Sequence, residues 1–277
     1  MKLFKKLKKI INWAKYRYQK LRFQLRKKPV ILVDQEVPLL SMGTDYGGWK
    51  VPMDFLHEGS VCYFAGAGID ISFDVEVAKQ FNTNVYIIDP TPVAKDHFNS
   101  LVERTKKGEK LEINRTKGIY YQINQDTLNL LHYIDLGLWS KDTFIKFYEP
   151  SNSETMVSHS IVNLHKTSSS FEAEVVKLST LMKKLRHKHV DYLKIDIEGA
   201  EYEVINSMLS ESLSVSVLGI EFDEVHHPLD RKSIERIEKT IENLKNADYL
   251  VVDVDSNYNV TLMTKSIFSE LYATGRN

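Results

Sequence analysis

The sequence predicts an α/β protein built on a doubly wound, largely parallel sheet, with a basic amphipathic helix ahead of it. Three observations carry this. Apolar runs of strand length alternate with segments of helical periodicity from about residue 60 onward. A glycine turn, Gly66-Ala67-Gly68, follows the first such run, Val61–Ala65. The stretch Asp191–Glu203 joins a short apolar strand, Tyr192–Ile195, to a helix with apolar residues at Ala200, Val204, Ile205 and Leu209.

At that last junction Asp196 and Glu198 crowd together. Ligands of an open α/β sheet bind at the carboxyl ends of its strands. Two carboxylates at such an edge repel one another and lose solvation, which a binding site explains better than packing does. Helix N-capping accounts for one of them, through the helix dipole, but not for both.

Composition bounds the rest. The 277 residues suffice for one large α/β domain with an appendage, and 43% hydrophobic with 27% charged residues is globular usage. The single cysteine, Cys62, excludes an intramolecular disulfide and fits a reducing, cytoplasmic setting; within its apolar run it reads as a buried, inert thiol. Net charge is zero, yet residues 1–28 hold 12 Lys/Arg and no acid, leaving 25 basic against 37 acidic residues elsewhere. So acidic a body argues against a nucleic-acid-binding face.

Taken in order, residues 1–28 place Leu3, Leu7, Ile10, Ile11, Ala14, Tyr18, Leu21 and Leu25 on one helical stripe, with lysines and arginines around it. No run approaches the ~20 consecutive apolar residues of a membrane span, nor the unbroken apolar core of a secretory signal. Two readings fit: a helix lying on an anionic membrane surface, or one packed against the acidic body or a second subunit. Residues 29–59 form an entry segment: Pro29 breaks the helix, Val30–Val33 can be a short strand, and Pro38–Gly59 reads as an irregular, aromatic-bearing loop over a pocket. The main domain spans residues 60–277. Val61–Ala65 is a buried strand, Ile71–Phe81 a helix, and Val85–Ile88 a strand ending in Asp89-Pro90. Strand, glycine turn, helix, strand and acid are the first half of a doubly wound nucleotide-binding fold, and Asp89 stands where a carboxylate accepts from ribose hydroxyls. A helix over His97–Lys106, strands over Tyr133–Trp139 and Phe144–Tyr148, a polar excursion over Pro150–Ser170 and a helix over Val175–Arg186 lead to the acidic junction. Beyond it lie a strand over Val215–Phe222, the residues His226-His227, a helix over 231–246 and a strand pair, Tyr249–Val254 and Asn259–Met263.

Together these residues resemble the FkbM-type methyltransferases. The resemblance covers roughly residues 60–265 and rests above all on Leu193-Lys194-Ile195-Asp196-Ile197-Glu198-Gly199-Ala200-Glu201, after the glycine turn and Asp89-Pro90. It implies a Rossmann-like class I methyltransferase fold, a mostly parallel sheet with an antiparallel last strand, and S-adenosylmethionine as cofactor. It also implies that Gly66 and Gly68 lie under the cofactor's methionine part and that Asp89 holds its ribose, with Ala65, Ala67 and Pro90 beside them as further cofactor-binding residues. The acid that commonly stands two positions before the first glycine is Phe64 here, and Asp70 replaces the commoner third glycine. Asp70 is thus the candidate for the contact to the cofactor's amino group.

Methyl transfer to a hydroxyl requires alignment and removal of a proton. The candidate catalytic residues are Asp196, Glu198 and His226, with Glu221 and His227 as further bases. Nothing in their spacing demands a metal, and none is assigned. The expected activity is O-methylation of a small-molecule or glycan acceptor, such as a lipid-linked saccharide, by a cytoplasmic enzyme that contacts anionic membrane through residues 1–28. A dinucleotide-dependent oxidoreductase and a non-catalytic module of the same fold are the alternatives.

Overall fold

The computed structural model describes residues 27–114, 116–148 and 170–273. The helix expected over residues 1–28, apart from residues 27 and 28, and nearly all of the polar excursion lie outside the described residues.

The strands are β1 (Leu39–Met42), β2 (Trp49–Pro52), β3 (Val61–Ala65), β4 (Asn84–Ile88), β5 (Leu131–Ile134), β6 (Gly137–Leu138), β7 (Thr143–Tyr148), β8 (Ser170–Val176), β9 (Val190–Ile195), β10 (Val215–Glu221), β11 (Tyr249–Val254) and β12 (Asn259–Thr264). The helices are α1 (Ser72–Phe81), α2 (Pro92–Lys107), α3 (Gln125–Asn129), α4 (Leu178–Leu185), α5 (Glu201–Ser210), α6 (Ser233–Asn246) and α7 (Lys265–Phe268). Seven strands form the main sheet in the order β11-β12-β10-β9-β3-β4-β5. All run parallel except β12, which pairs antiparallel with β10 and β11. β1 and β2 form a separate antiparallel hairpin, and β6, β8 and β7 a small mixed sheet.

Alternation along the strands divides the core into two layers. Tyr63, Ala65, Leu193, Ile195, Leu218 and Ile220 face one side and pack on α4, α5 and α6 through residues such as Leu181, Val204, Ile205 and Ile241. Cys62, Phe64, Tyr192 and Val217 face the other, against Phe73 and Val77 of α1, Leu101 of α2 and Trp49 of the hairpin. Each fully buried Leu or Phe contributes about 2 kcal/mol. Helix ends follow local chemistry: Thr91 caps α2 by accepting from the Ala94 N–H, Pro92 opens it, and Gly108 closes it in the left-handed conformation.

Four expectations need correction. Pro38–Gly59 is not irregular, because Leu39–Met42 pair in register with Trp49–Pro52, and its glycines make the turn between them. Val30–Val33 is no strand; the chain there runs beside β11, held by the Asp34 N–H on the Val251 carbonyl at 2.8 Å. The strand expected over Tyr133–Trp139 divides into β5, which begins earlier, and β6. Val175 and Val176 end β8 rather than begin a helix, since they pair with β7 and β6, and α4 starts only at Leu178. No helix among the described residues is long and apolar enough to cross a membrane.

The sheet reverses its winding between β3 and β9, and Gly66 marks the point. It sits at φ +85°, and a Cβ there would lie 1.6 Å from the Asp196 carbonyl oxygen, so only glycine lets the two strand ends meet. Gly66→Ala is therefore expected to cost about 3–5 kcal/mol in urea unfolding, from backbone strain and overpacking together. Gly59, at φ +90°, is the control, since a Cβ there would meet nothing within 4 Å. Gly59→Ala should cost only about 1 kcal/mol.

Candidate active site

A cavity of ≈ 370 Å³ opens at the carboxyl ends of β3, β4, β9 and β10. Its floor is the Gly66–Asp70 turn and the Asp196–Glu198 elbow; Ile88, Pro90, Leu138 and Phe147 make an apolar wall. The hairpin turn contributes Asp45, Tyr46, Gly47 and Trp49, and Glu221, Asp223, His226 and His227 close the far side. Among the described residues, seven carboxylates line this cavity against one lysine, Lys194.

Lys194 is 4% exposed. Its ammonium donates to the Gly66 carbonyl at 2.8 Å and to Asp196 Oδ2 at 3.3 Å, and lies 5.2 Å from the centroid of the Trp49 ring. Burying an ammonium is costly unless it is paired and hydrogen-bonded, and this one is both, with an aromatic face beside it. Trp49 can lie there because Gly219 has no side chain: a Cβ would come within 3.0–3.2 Å of the indole.

Two acids hold the floor in shape. Asp89 Oδ2 accepts from the N–H groups of Ala67 (2.8 Å) and Gly68 (3.1 Å), while Oδ1 accepts from the Thr91 N–H (2.8 Å) and hydroxyl (2.6 Å). A carboxylate has about four such acceptor positions. A ribose hydroxyl would have to displace one of these donors. Asp70 accepts from the Thr44 hydroxyl at 2.6 Å and from the Ser72 N–H at 2.9 Å, so it ties the hairpin turn to the start of α1.

The catalytic side is electrostatically crowded. Glu221, at the end of β10, has its pKa pushed up to about 8, by burial first and then by the Asp196 charge, with Lys194 opposing. Glu201 is fully buried and pushed up to about 8, again chiefly by burial. Its Oε1 accepts from the Gly199 N–H at 2.9 Å, while Oε2 has no hydrogen-bond partner among the described residues. Asp74, beneath the glycine turn, rises to about 7 by burial, with Lys194 again opposing. Glu198 sits at φ +53° and Gly199 at φ +103°, two successive left-handed residues that turn the chain sharply out of β9. His226 Nε2 donates to the Asn257 carbonyl at 3.0 Å, and burial lowers its pKa, so the imidazole is neutral near pH 7. Its loop is pinned by Arg236, which bonds both oxygens of the buried Glu224 and also Asp230.

The structure thus brings Gly66, Ala67, Gly68, Asp70, Asp89, Pro90, Asp196, Glu198 and His226 to one cavity. Ala65 does not line it; it is fully buried at the end of β3. Sequence reasoning assigned no role to Lys194, Asp223, Asn257 or Asn259, which also line it. Lys194 had a signal: a lone charge inside an apolar strand has to find a partner.

Residues 66–251 match the Methyltransferase FkbM domain family. That span leaves out the β1–β2 hairpin and Asn257 and Asn259, all of which reach the cavity. No curated protein matches the chain. Among solved structures, it is similar to a Methyltransferase FkbM from Methylobacillus flagellatus KT, at 12% identity and a TM-score of 0.42, over 74% of this chain and 43% of that one. The chain therefore spans under half the length of that relative. It is also similar to M. jannaschii TYW2 in complex with AdoMet, at 13% identity and a TM-score of 0.29, over 84% of this chain and 86% of that one.

Two outcomes are expected. Asp89→Ala leaves the amides of the glycine turn without their acceptor, so it should lower stability by about 3 kcal/mol in urea even without any ligand. A residue that serves only a ligand would leave that measurement unchanged. The second concerns pH. A raised carboxyl pKa means that the folded chain holds its proton more tightly than the unfolded one. Glu201 and Asp74 therefore favour the fold in acid, and lose that contribution as the pH rises through about 7 to 8. Glu201→Gln should be at least about 1 kcal/mol more stable than the parent near pH 9, with the gap closing toward pH 5. A gap independent of pH would show that the ionisation of Glu201 is not its cause.

Proposed function

The chain belongs to the FkbM methyltransferase family, and from that premise we propose that it moves a methyl group from S-adenosylmethionine to a hydroxyl of a glycan or lipid-linked saccharide. The observation that carries this reading is Glu221 at the cavity wall, its pKa pushed up to about 8 beside Asp196. A hydroxyl acceptor must lose its proton as it is methylated, and a base with a pKa near the working pH suits that step. The Asp196 charge acts on Glu221, and Lys194 fixes the Asp196 carboxylate in place. His226 lies at the same wall, its pKa lowered by burial, and is a second side chain placed to orient the acceptor.

The cavity fits the cofactor. Its excess of carboxylates favours a ligand bearing a sulfonium and an ammonium, and the apolar wall of Ile88, Pro90, Leu138 and Phe147 suits a flat ring. A Cβ on Gly68 would meet nothing within 4 Å, so the backbone there is open to close approach. The residues that would hold the cofactor are the Gly66–Gly68 turn, Asp70 and Pro90, while Asp89 holds the turn in shape and would reach a ribose hydroxyl only by giving up one of its present donors. When bound, the cofactor would supply the electrophilic methyl group that the acceptor takes. Tyr46 and Trp49, with Asn257 and Asn259, offer the mix of aromatic faces and hydrogen-bonding groups that a saccharide takes. Family membership does not favour the oxidoreductase or the non-catalytic alternative.

Radiolabelled methyl transfer onto fractionated glycans and glycolipids tests the reading, together with calorimetric titration of S-adenosylhomocysteine and of NAD. In the parent, kcat should rise with pH through about 8, as Glu221 loses its proton. Glu221→Gln should retain cofactor binding and lose about 100-fold or more in kcat, along with that pH dependence. Full activity in this variant would remove Glu221 as the base.

A further inference from the structure

The β1–β2 turn is shared by two hollows. On one side it borders the catalytic cavity, on the other a groove of ≈ 740 Å³, and Asp45 and Tyr46 line both. Ligand sites commonly enclose about 300–1,000 Å³, so the groove has room for a ligand. Its other two sides are the exposed face of α1 and the segment 116–122.

Glycines keep the turn low between the two hollows. A Cβ on Gly47 would lie 2.8 Å from Asp70 Cγ, and one on Gly43 would lie 3.0 Å from the Phe73 nitrogen. Without those atoms the turn presses onto the start of α1, where the Gly43 N–H donates to Glu76 at 2.6 Å and the Thr44 N–H to Ser72 at 2.9 Å. The far bank is fixed to the same point: the Tyr121 hydroxyl accepts from the Ile71 N–H at 3.1 Å. Banks held by the protein's own hydrogen bonds lower the ordering cost of binding.

The lining selects the chemistry. Among the described residues eight large apolar or aromatic side chains are exposed, and three of them stand here: Tyr46 at 53%, Ile119 at 54% and Tyr120 at 36%. Beside the rings, Lys79, Gln80, Lys117 and Gln122 supply hydrogen-bonding groups. Aromatic faces with polar tips, next to amides and ammoniums, suit the C–H faces and hydroxyls of a sugar. A wholly apolar chain would strip water from those polar groups and return no hydrogen bonds.

We propose that this groove is a second acceptor subsite, holding the sugar unit next to the one being methylated, with the chain crossing the β1–β2 turn beside Tyr46. The acceptor class that follows, resting on the methyltransferase reading, is an oligosaccharide and not a lone sugar. Tyr46 borders both units, whereas Ile119 and Tyr120 border only the distal one.

The test uses the full chain and cellular glycans separated into monosaccharides and longer chains. Two readouts are taken: radiolabelled methyl transfer, and saturation-transfer NMR of the same fractions without S-adenosylmethionine. The longer chains should be methylated with a kcat/KM about tenfold above that of the monosaccharides. Combined Ile119→Ser and Tyr120→Ser should raise KM for the longer chains about tenfold, with kcat and monosaccharide transfer as in the parent. Gln80→Trp, which fills the groove from α1, should do the same, and circular dichroism checks that both variants fold. Binding of the longer chains by the parent, lost in both variants, upholds the groove as a saccharide site even where no fraction is methylated; the methyltransferase reading alone then fails. Longer chains that are neither bound nor preferred overturn the subsite, as does an unchanged KM in both variants. A KM that rises in the variants for monoglycosyl lipids as well assigns the groove to a lipid tail, which also overturns it.

Discussion

The site depends on one buried ammonium. Lys194 reaches the carbonyl of Gly66 on one side and the carboxylate of Asp196 on the other, so it joins the ends of β3 and β9 where the sheet changes direction. It is also the lysine facing the carboxylates of the cavity. Without it, the acids beside it would share a desolvated region with no compensating charge, and Asp74 and Glu221 would bind a proton more tightly still. Position and protonation are thus set by one side chain.

The walls around that centre come from segments that are not part of the main sheet. The β1–β2 hairpin is drawn onto it by several contacts of different kinds. Trp49 lies over Lys194 and fills the space left by Gly219, the Tyr192 hydroxyl donates to the Lys50 carbonyl at 2.8 Å, and Lys50 pairs with Asp253 at 3.1 Å. Asp70 and Glu76 take hydrogen bonds from Thr44 and Gly43 at the turn. On the opposite side Arg236 fixes Glu224 and with it the loop bearing His226. A rigid sheet therefore carries the charged centre, while separately anchored loops define what can approach it.

Much of this was legible in the residues. β3, α1, β4, β9 and α5 fall close to where apolar periodicity places them, because each buries a strand or a helical face in a single layer. Asp89, Asp196 and Glu198 were visible as acids at strand ends. The hairpin was not, since Gly43, Gly47 and Gly48 suggest irregular chain and only the pairing of Leu39–Met42 with Trp49–Pro52 reveals a strand pair. β8 was hidden for a related reason: its last residues, Val175 and Val176, run into the apolar positions of α4, and periodicity does not mark the change. Glu221 was one acid among several at the level of sequence. Its distinction comes from burial and from the charge of Asp196, which are properties of the folded site. The electrostatic role of Lys194 likewise needs Gly66 and Trp49, which lie far from it in the chain, besides Asp196 two residues on.

The saturated carboxylate of Asp89 has a consequence for the dynamics of the floor. Glycine-rich turns are ordinarily among the first segments to open to solvent, because so little holds them. Here an internal anion occupies the two amides that face it, as a bound ligand's own oxygen would, and its other oxygen is anchored at the start of α2. The cradle is in this sense its own template: its shape is established before any guest arrives, and the entropy of ordering it is charged to folding instead of to binding. Amide hydrogen exchange at Ala67 and Gly68 would then report the opening of the β4–α2 junction rather than the motion of an isolated loop.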